Sequence, residues 1–218
     1  MKRVHVIGPF NSGTNLLFNI MSNCECVELT TNEQIKIGDN VHDPFNKHTL
    51  KINDIDNYLK DDNNLLIIMY KEVYNWLFSI KKQSYDLKYT NLYLPVKFRG
   101  KNFKNVIDVY NYYYINYMNL IKKSKNVVFL DYKKVIDKNT SYNYINNELS
   151  KLNITVLSQP KFNIQLNTKS KTHGKPVKNS EEAKNSYNHN QIMVRKFITK
   201  IPILKKSINH KLESFYKT

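Results

Sequence analysis

Short apolar runs alternate with amphipathic stretches along most of the chain. Residues 3–7 (Arg-Val-His-Val-Ile) are β-branched and stop at Gly8-Pro9, which predicts a buried strand. In residues 15–22, Leu16, Leu17, Ile20 and Met21 recur at helical spacing. Residues 26–29 predict a second strand, and the polar stretch 32–51, with Gly38, Pro44 and two histidines, predicts a long functional loop. Leu65 to Tyr70 gives the clearest strand signal and runs into a predicted helix at 72–82, with Val73, Trp76, Leu77 and Ile80 on one face. A loop centred on Pro95 precedes a long aromatic helix at 105–123. A buried strand at 127–130 and a helical stretch at 141–152 follow. A last helical pattern spans 191–216 and breaks near Pro202. Strands and helices in alternation predict an α/β fold, a single domain over residues 1–218 with a central parallel sheet flanked by helices. Residues 159–188 interrupt the pattern, being polar and lysine-rich, and read as a flexible segment.

Composition narrows the class. With 218 residues the chain suffices for one sizeable core, and 41% hydrophobic residues place it among globular proteins. No apolar run approaches the length needed to cross a bilayer, and the charged Met1-Lys2-Arg3 leads straight into a strand rather than a secretory leader. The expected location is therefore cytoplasmic, without membrane partners. Cys24 and Cys26 are the only cysteines and read as strand packing rather than a disulfide or metal site. The net charge of +16 suggests a polyanionic partner, yet only Arg3, Arg99 and Arg195 are arginine and Ala183 is the single alanine. Such a wealth of Lys, Asn, Ile and Tyr is what A+T-rich coding produces, so charge alone does not establish a partner.

Chemistry enters at the turn Gly8-Pro9-Phe10-Asn11-Ser12-Gly13-Thr14, between the first strand and the first helix. Backbone N–H groups converge there on an anion, aided by the helix dipole. The Gly-x4-Gly spacing matches a nucleotide-binding loop, but the lysine that should follow Gly13 is absent and Thr14 stands in its place. A cradle without that lysine suits a less highly charged group than a triphosphate. At the next strand–helix junction, Lys71 ends a strand and Ser79 lies eight positions on in the helix. A cation and a hydroxyl so placed can pinch one phosphate beside the loop.

Ser12-Gly13-Thr14-Asn15-Leu16-Leu17 resembles the 5′-phosphosulfate loop of sulfotransferases that use 3′-phosphoadenosine-5′-phosphosulfate (PAPS), and Tyr74-Asn75-Trp76-Leu77-Phe78-Ser79 is similar to their 3′-phosphate helix. The resemblance implies a P-loop NTPase-like sulfotransferase architecture, with PAPS as donor, 3′,5′-adenosine bisphosphate as product and no required metal. It implies that Asn11, Ser12, Gly13, Thr14 and Asn15 hold the 5′ end, and Lys71 and Ser79 the 3′-phosphate. The strand end Val127-Val128-Phe129-Leu130-Asp131-Tyr132 resembles a further family element and implies Tyr132 near the adenine. The chain departs from the pattern at Asn11, where a cation is frequent, at Lys71 for Arg, at Val73 for Pro, and at Lys133-Lys134 for an acidic pair.

Sulfuryl transfer needs a base and cations around the sulfate. Asn46-Lys47-His48 is similar to a Trp-Lys-His element of some sulfotransferases, which makes His48 the first candidate for the base and Lys47 or Lys71 the substitute for the charge missing at Asn11. His42, Glu28 and Glu33 are rivals, while His5 reads as core. His173 and Lys171, Lys175 and Lys178 lie where the family carries a basic loop over the 3′-phosphate. The acceptor, a hydroxyl or amine compound such as a glycan, falls to loops 32–51 and 85–104 and the basic segment. Two other readings stay open: a P-loop kinase or nucleotide-binding protein with a degenerate loop, using Asp131, and a basic nucleic-acid-binding protein stacking bases on Tyr112 to Tyr117. The helical spacing of those aromatics favours core over base stacking.

Overall fold

The computed structural model describes residues 2–21, 27–30, 46–137, 139–155 and 180–217. In chain order the elements are β1 (Lys2–Ile7), α1 (Thr14–Met21), β2 (Val27–Leu29), α2 (Ile52–Tyr58), β3 (Asn64–Tyr70), α3 (Val73–Lys82), β4 (Val96–Phe98) and β5 (Lys101–Phe103). They continue with α4 (Val106–Lys123), β6 (Val127–Asp131), α5 (Tyr132–Val135), α6 (Ser141–Ser150), α7 (Ser180–Thr199), α8 (Pro202–Ser207) and α9 (His210–Lys217).

Four strands form a parallel sheet in the order β2-β1-β3-β6. Every residue of β3 is buried, as a strand covered on both faces must be. Its alternation divides the core in two. Leu66, Ile68 and Tyr70 pack with Trp76 and Leu77 of α3, Tyr110 and Tyr114 of α4, and Tyr216 of α9. Leu65, Ile67 and Met69 pack with Leu16 and Leu17 of α1, Ile145 and Leu149 of α6, and Tyr187 of α7. Each large apolar side chain so buried contributes about 1.5–3 kcal/mol. The α/β class and the central parallel sheet flanked by helices are thus as the sequence pattern leads one to expect.

From β1 the chain moves to β2 on one side, then crosses back to lay β3 on the other. The loops leaving β1 and β3 therefore diverge at their carboxyl ends, and open α/β sheets leave a ligand crevice at such a point. Gly8 follows β1 there, and Lys71 follows β3.

Four regions differ from the sequence expectation. Helix α2 lies where none is expected, because Ile55 is its only fully buried residue and Ile52 and Tyr58 at its ends are half-buried among Asn and Asp. Around Pro95 the expected loop contains the hairpin β4–β5, whose three-residue strands are too short to show a period. Helix α5 is a single turn capped by the Asp131 side chain, which accepts from the Lys133 N–H. Helix α7 begins at Ser180, so residues 181–188, expected to be irregular, are helical. Only Ala183 and Tyr187 are buried on that stretch, four residues apart, which is too sparse a stripe to read without its partners.

Candidate functional site

The loop between β1 and α1 is shaped by two residues with positive φ, Asn11 (63°) and Gly13 (98°). Asparagine tolerates the left-handed region, whereas the value at Gly13 calls for glycine. A Cβ on Gly13 would also stand 2.5 Å from Cδ2 of Tyr132, so the loop lies flat on that ring. Asn11 directs its side chain away from the loop interior: Nδ2 donates to the Gln83 carbonyl at the end of α3 (2.7 Å). Trp76 Nε1 donates to the Phe10 carbonyl (2.9 Å), so α3 grips the loop at two points. Asn11→Ala is expected to cost about 2 kcal/mol, from the left-handed penalty and the lost hydrogen bond, and Asn11→Gly about half as much. Urea denaturation of the two variants checks the order.

Ser12 is fully buried, and its Oγ has no hydrogen-bond partner among the described residues. Thr14 opens α1, and the first N–H groups of that helix have no carbonyl of their own turn to meet. Asn15 Oδ1 accepts from Lys47 Nζ at 2.9 Å, which sets a second cation beside the helix start.

Lys71 is the centre of the arrangement. It is 8% exposed, and Nζ donates to the Asn11 carbonyl (3.1 Å) and to Ser79 Oγ (2.8 Å). The ammonium also lies 4.6 Å from the centroid of the Tyr132 ring. All three neighbours are neutral, and no carboxylate of the described residues forms an ion pair with it. Burial, and secondarily the charge of Lys82, pushes the Lys71 ammonium down to about 7. Ser79 meanwhile donates to the Asn75 carbonyl (3.0 Å), leaving its oxygen as an acceptor for the lysine.

His48 sits on the opposite flank. Gly8 N–H donates to the Lys47 carbonyl (3.0 Å), and His48 Nδ1 bonds the Gly8 carbonyl (2.7 Å). A carbonyl only accepts, so Nδ1 carries the proton and the lone pair falls to Nε2. Burial lowers the imidazole to about 4, against the Gly8 hydrogen bond and with help from Lys47 and Arg99, so the ring is neutral at pH 7.

One face of α4 holds both flanks, a role that its helical spacing alone does not reveal. Tyr110 donates to the Lys71 carbonyl (3.0 Å), and Tyr114 accepts from the Lys71 N–H (3.0 Å) while donating to Met69 O (3.1 Å). Tyr113 and Tyr117 donate to the carbonyls of His48 (3.2 Å) and Thr49 (3.0 Å). Positions 110, 113, 114 and 117 are one helical stripe, so the spacing marks the face. That every hydroxyl ends on a site backbone is visible only in three dimensions.

The structure therefore gathers Asn11, Ser12, Gly13, Thr14, Asn15, Lys47, His48, Lys71, Ser79 and Tyr132 around the loop between β1 and α1. Glu28 is not among them: it pairs in register with Arg3, at the far end of β1 from Gly8. His5 is buried and bonded to Thr30, as a core residue would be. Asp131 spends its carboxylate on capping α5. Cys24, Cys26, Glu33, His42, Lys171, His173, Lys175 and Lys178 lie outside the described residues. Loops 46–54 and 98–103 meet in a groove beside the His48 segment. No family model, curated protein or solved structure matches the chain.

Proposed function

We propose that the chain is a sulfotransferase, transferring a sulfuryl group from PAPS to a hydroxyl or amine acceptor. The observation that carries this reading is Lys71: a buried ammonium with three neutral neighbours and no carboxylate paired with it among the described residues, beside a loop that lacks a triphosphate lysine. A buried cation is costly unless an anion meets it, and a phosphate between Lys71 and Ser79 would supply one. The buried Ser12 hydroxyl, without a partner among the described residues, and the N-terminal end of α1, where backbone N–H groups and the helix dipole favour an anion, suit the 5′ end in the same way. These are the features expected of a P-loop-like sulfotransferase architecture with a displaced cation.

PAPS, when bound, supplies a sulfur atom whose bond to the 5′-phosphate oxygen breaks as the acceptor attacks in line. His48 then takes the acceptor proton on Nε2, its tautomer held by Gly8, while the tyrosine stripe fixes the backbone beneath it. Lys47 stands on Asn15 at the start of α1, and Lys71 on the Asn11 carbonyl. Both flank the loop where charge gathers on the leaving phosphate.

This assignment fixes a pH profile. His48 must be neutral and Lys71 charged, and kcat/KM reports both in the free enzyme. The expected profile is a bell with an acid limb near 4 and an alkaline limb near 7. Lys71→Arg moves the alkaline limb beyond the measurable range, and His48→Ala removes turnover while bisphosphate affinity stays within about twofold. Turnover surviving in His48→Ala, or an acid limb at 6.5 or above, contradicts the role given to His48.

A further inference from the structure

A cavity of about 600 Å³ opens where residues 46–54 meet the β4–β5 hairpin, a volume within the range of small-molecule sites. The hairpin turns on Arg99 and Gly100, both at positive φ (47° and 78°), the pairing that a tight two-residue turn demands. Its tip therefore carries Arg99 and Lys101 into the cavity wall. Arg99 Nη1 donates to the His48 carbonyl (2.6 Å), with its guanidinium carbon 5.2 Å from the Phe98 centroid. Lys101 Nζ lies 4.4 Å from the centroid of Tyr112 and bonds its hydroxyl. Phe103 meets Tyr112 edge to face at 5.6 Å, so the floor is aromatic and half-buried. Lys51 adds a third cation, 4.0 Å from Asp54, the single carboxylate in the wall among the described residues. Phe98 also packs on Phe10 of the anion loop at 5.6 Å, so groove and loop share a wall.

We infer that this groove is an acceptor subsite for a carboxylate-bearing ring with an apolar face, of the acidic-sugar kind. The inference rests on the sulfotransferase reading of the neighbouring crevice and adds the substrate class. The Arg99 guanidinium, with donors beyond the one spent on His48, and the Lys101 ammonium match a carboxylate, and the half-buried Phe103 ring matches the C–H face of a sugar ring. The open side leaves ring hydroxyls in water, where they lose no hydrogen bonds. A bare anion makes no use of the Phe103 ring, and a neutral sugar brings no charge to Arg99 and Lys101.

Calorimetry with a galacturonic acid trimer as probe tests this, with maltotriose as neutral control, benzoate as flat anionic control and a short single-stranded DNA as competitor. The trimer is expected to bind at least about tenfold tighter than either small control, and Lys101→Ala and Phe103→Ala each to weaken it by about tenfold. The same two variants are expected to bind 3′,5′-adenosine bisphosphate as the wild type does. Maltotriose or benzoate binding as tightly as the trimer overturns the ligand class, as does trimer affinity unchanged in Lys101→Ala. DNA that binds more tightly than the trimer and loses affinity in Lys101→Ala gives the groove to nucleic acid and overturns the inference. Trimer binding without any bisphosphate binding sinks the sulfotransferase reading while supporting the ligand class of the groove, so the two failures are distinguishable.

Discussion

Lys71→Met is expected to make the ligand-free protein more stable and to cut its affinity for 3′,5′-adenosine bisphosphate by about a hundredfold, ~2.7 kcal/mol. Both effects come from one cause. In the free protein the ammonium is buried against a carbonyl, a hydroxyl and an aromatic face, with no carboxylate paired to it among the described residues. Its proton is held less tightly folded (about 7) than unfolded (10.5). The unfolded chain thus binds more protons between those values, and wild-type stability rises with pH from about 7 to 10.5. The gain across that window is on the order of a few kcal/mol, and below pH 7 the penalty is fully present. Methionine fills the same space without a charge, so the slope disappears along with the anion site. Urea denaturation at pH 7 and pH 9.5, for both proteins, measures it. A methionine variant less stable than wild type at pH 7 would mean that the lysine charge supports the empty fold.

Gly13→Ala is expected to destabilise the protein by about 3 kcal/mol and to abolish measurable bisphosphate binding. Two strains add: a φ of 98° that side chains rarely adopt, and a Cβ placed 2.5 Å from the Tyr132 ring. The ring has no easy retreat, because Lys71 lies over it and Tyr187 packs against it at 5.9 Å. Removing the ring in a Gly13→Ala/Tyr132→Ala double variant relieves the collision and leaves the dihedral strain. The two substitutions are therefore expected to be less than additive, by about 1 kcal/mol or more in chemical denaturation. Strict additivity would show that the loop and the ring do not press on each other.

Much of the fold was legible where pattern and burial coincide. Strand β3 is seven apolar-rich residues buried throughout, and α3 and α4 carry stripes that pack where their spacing points. The elements missed are those with too few buried residues to make a period: α2 with Ile55 as its one fully buried residue, the two three-residue strands of the hairpin, the single turn of α5 and the first turns of α7. The site was legible in its parts, because Gly13, Lys71 and Ser79 fall at strand–helix junctions where chemistry gathers. What the linear sequence hid were contacts made across it. Nothing near Asn11 says that its amide reaches Gln83, 72 residues on, nor that the Lys71 ammonium takes the Asn11 carbonyl, 60 residues back. The tyrosine stripe of α4 reads as core from its helical spacing, and it is core. Its hydroxyls, all aimed at the backbones of Lys71, His48 and their neighbours, make it the frame of the site as well.

The most direct test of the central claim is titration calorimetry of the wild-type protein with 3′,5′-adenosine bisphosphate, 5′-AMP and ATP-Mg in parallel. A site built around Lys71 and Ser79 for a 3′-phosphate is expected to bind the bisphosphate at least about tenfold more tightly than 5′-AMP, and ATP-Mg no better than 5′-AMP. That preference is expected to vanish in Lys71→Met and to fall in Ser79→Ala. ATP-Mg binding most tightly, with the bisphosphate no better than 5′-AMP, contradicts the sulfotransferase reading and gives the loop to a nucleoside triphosphate.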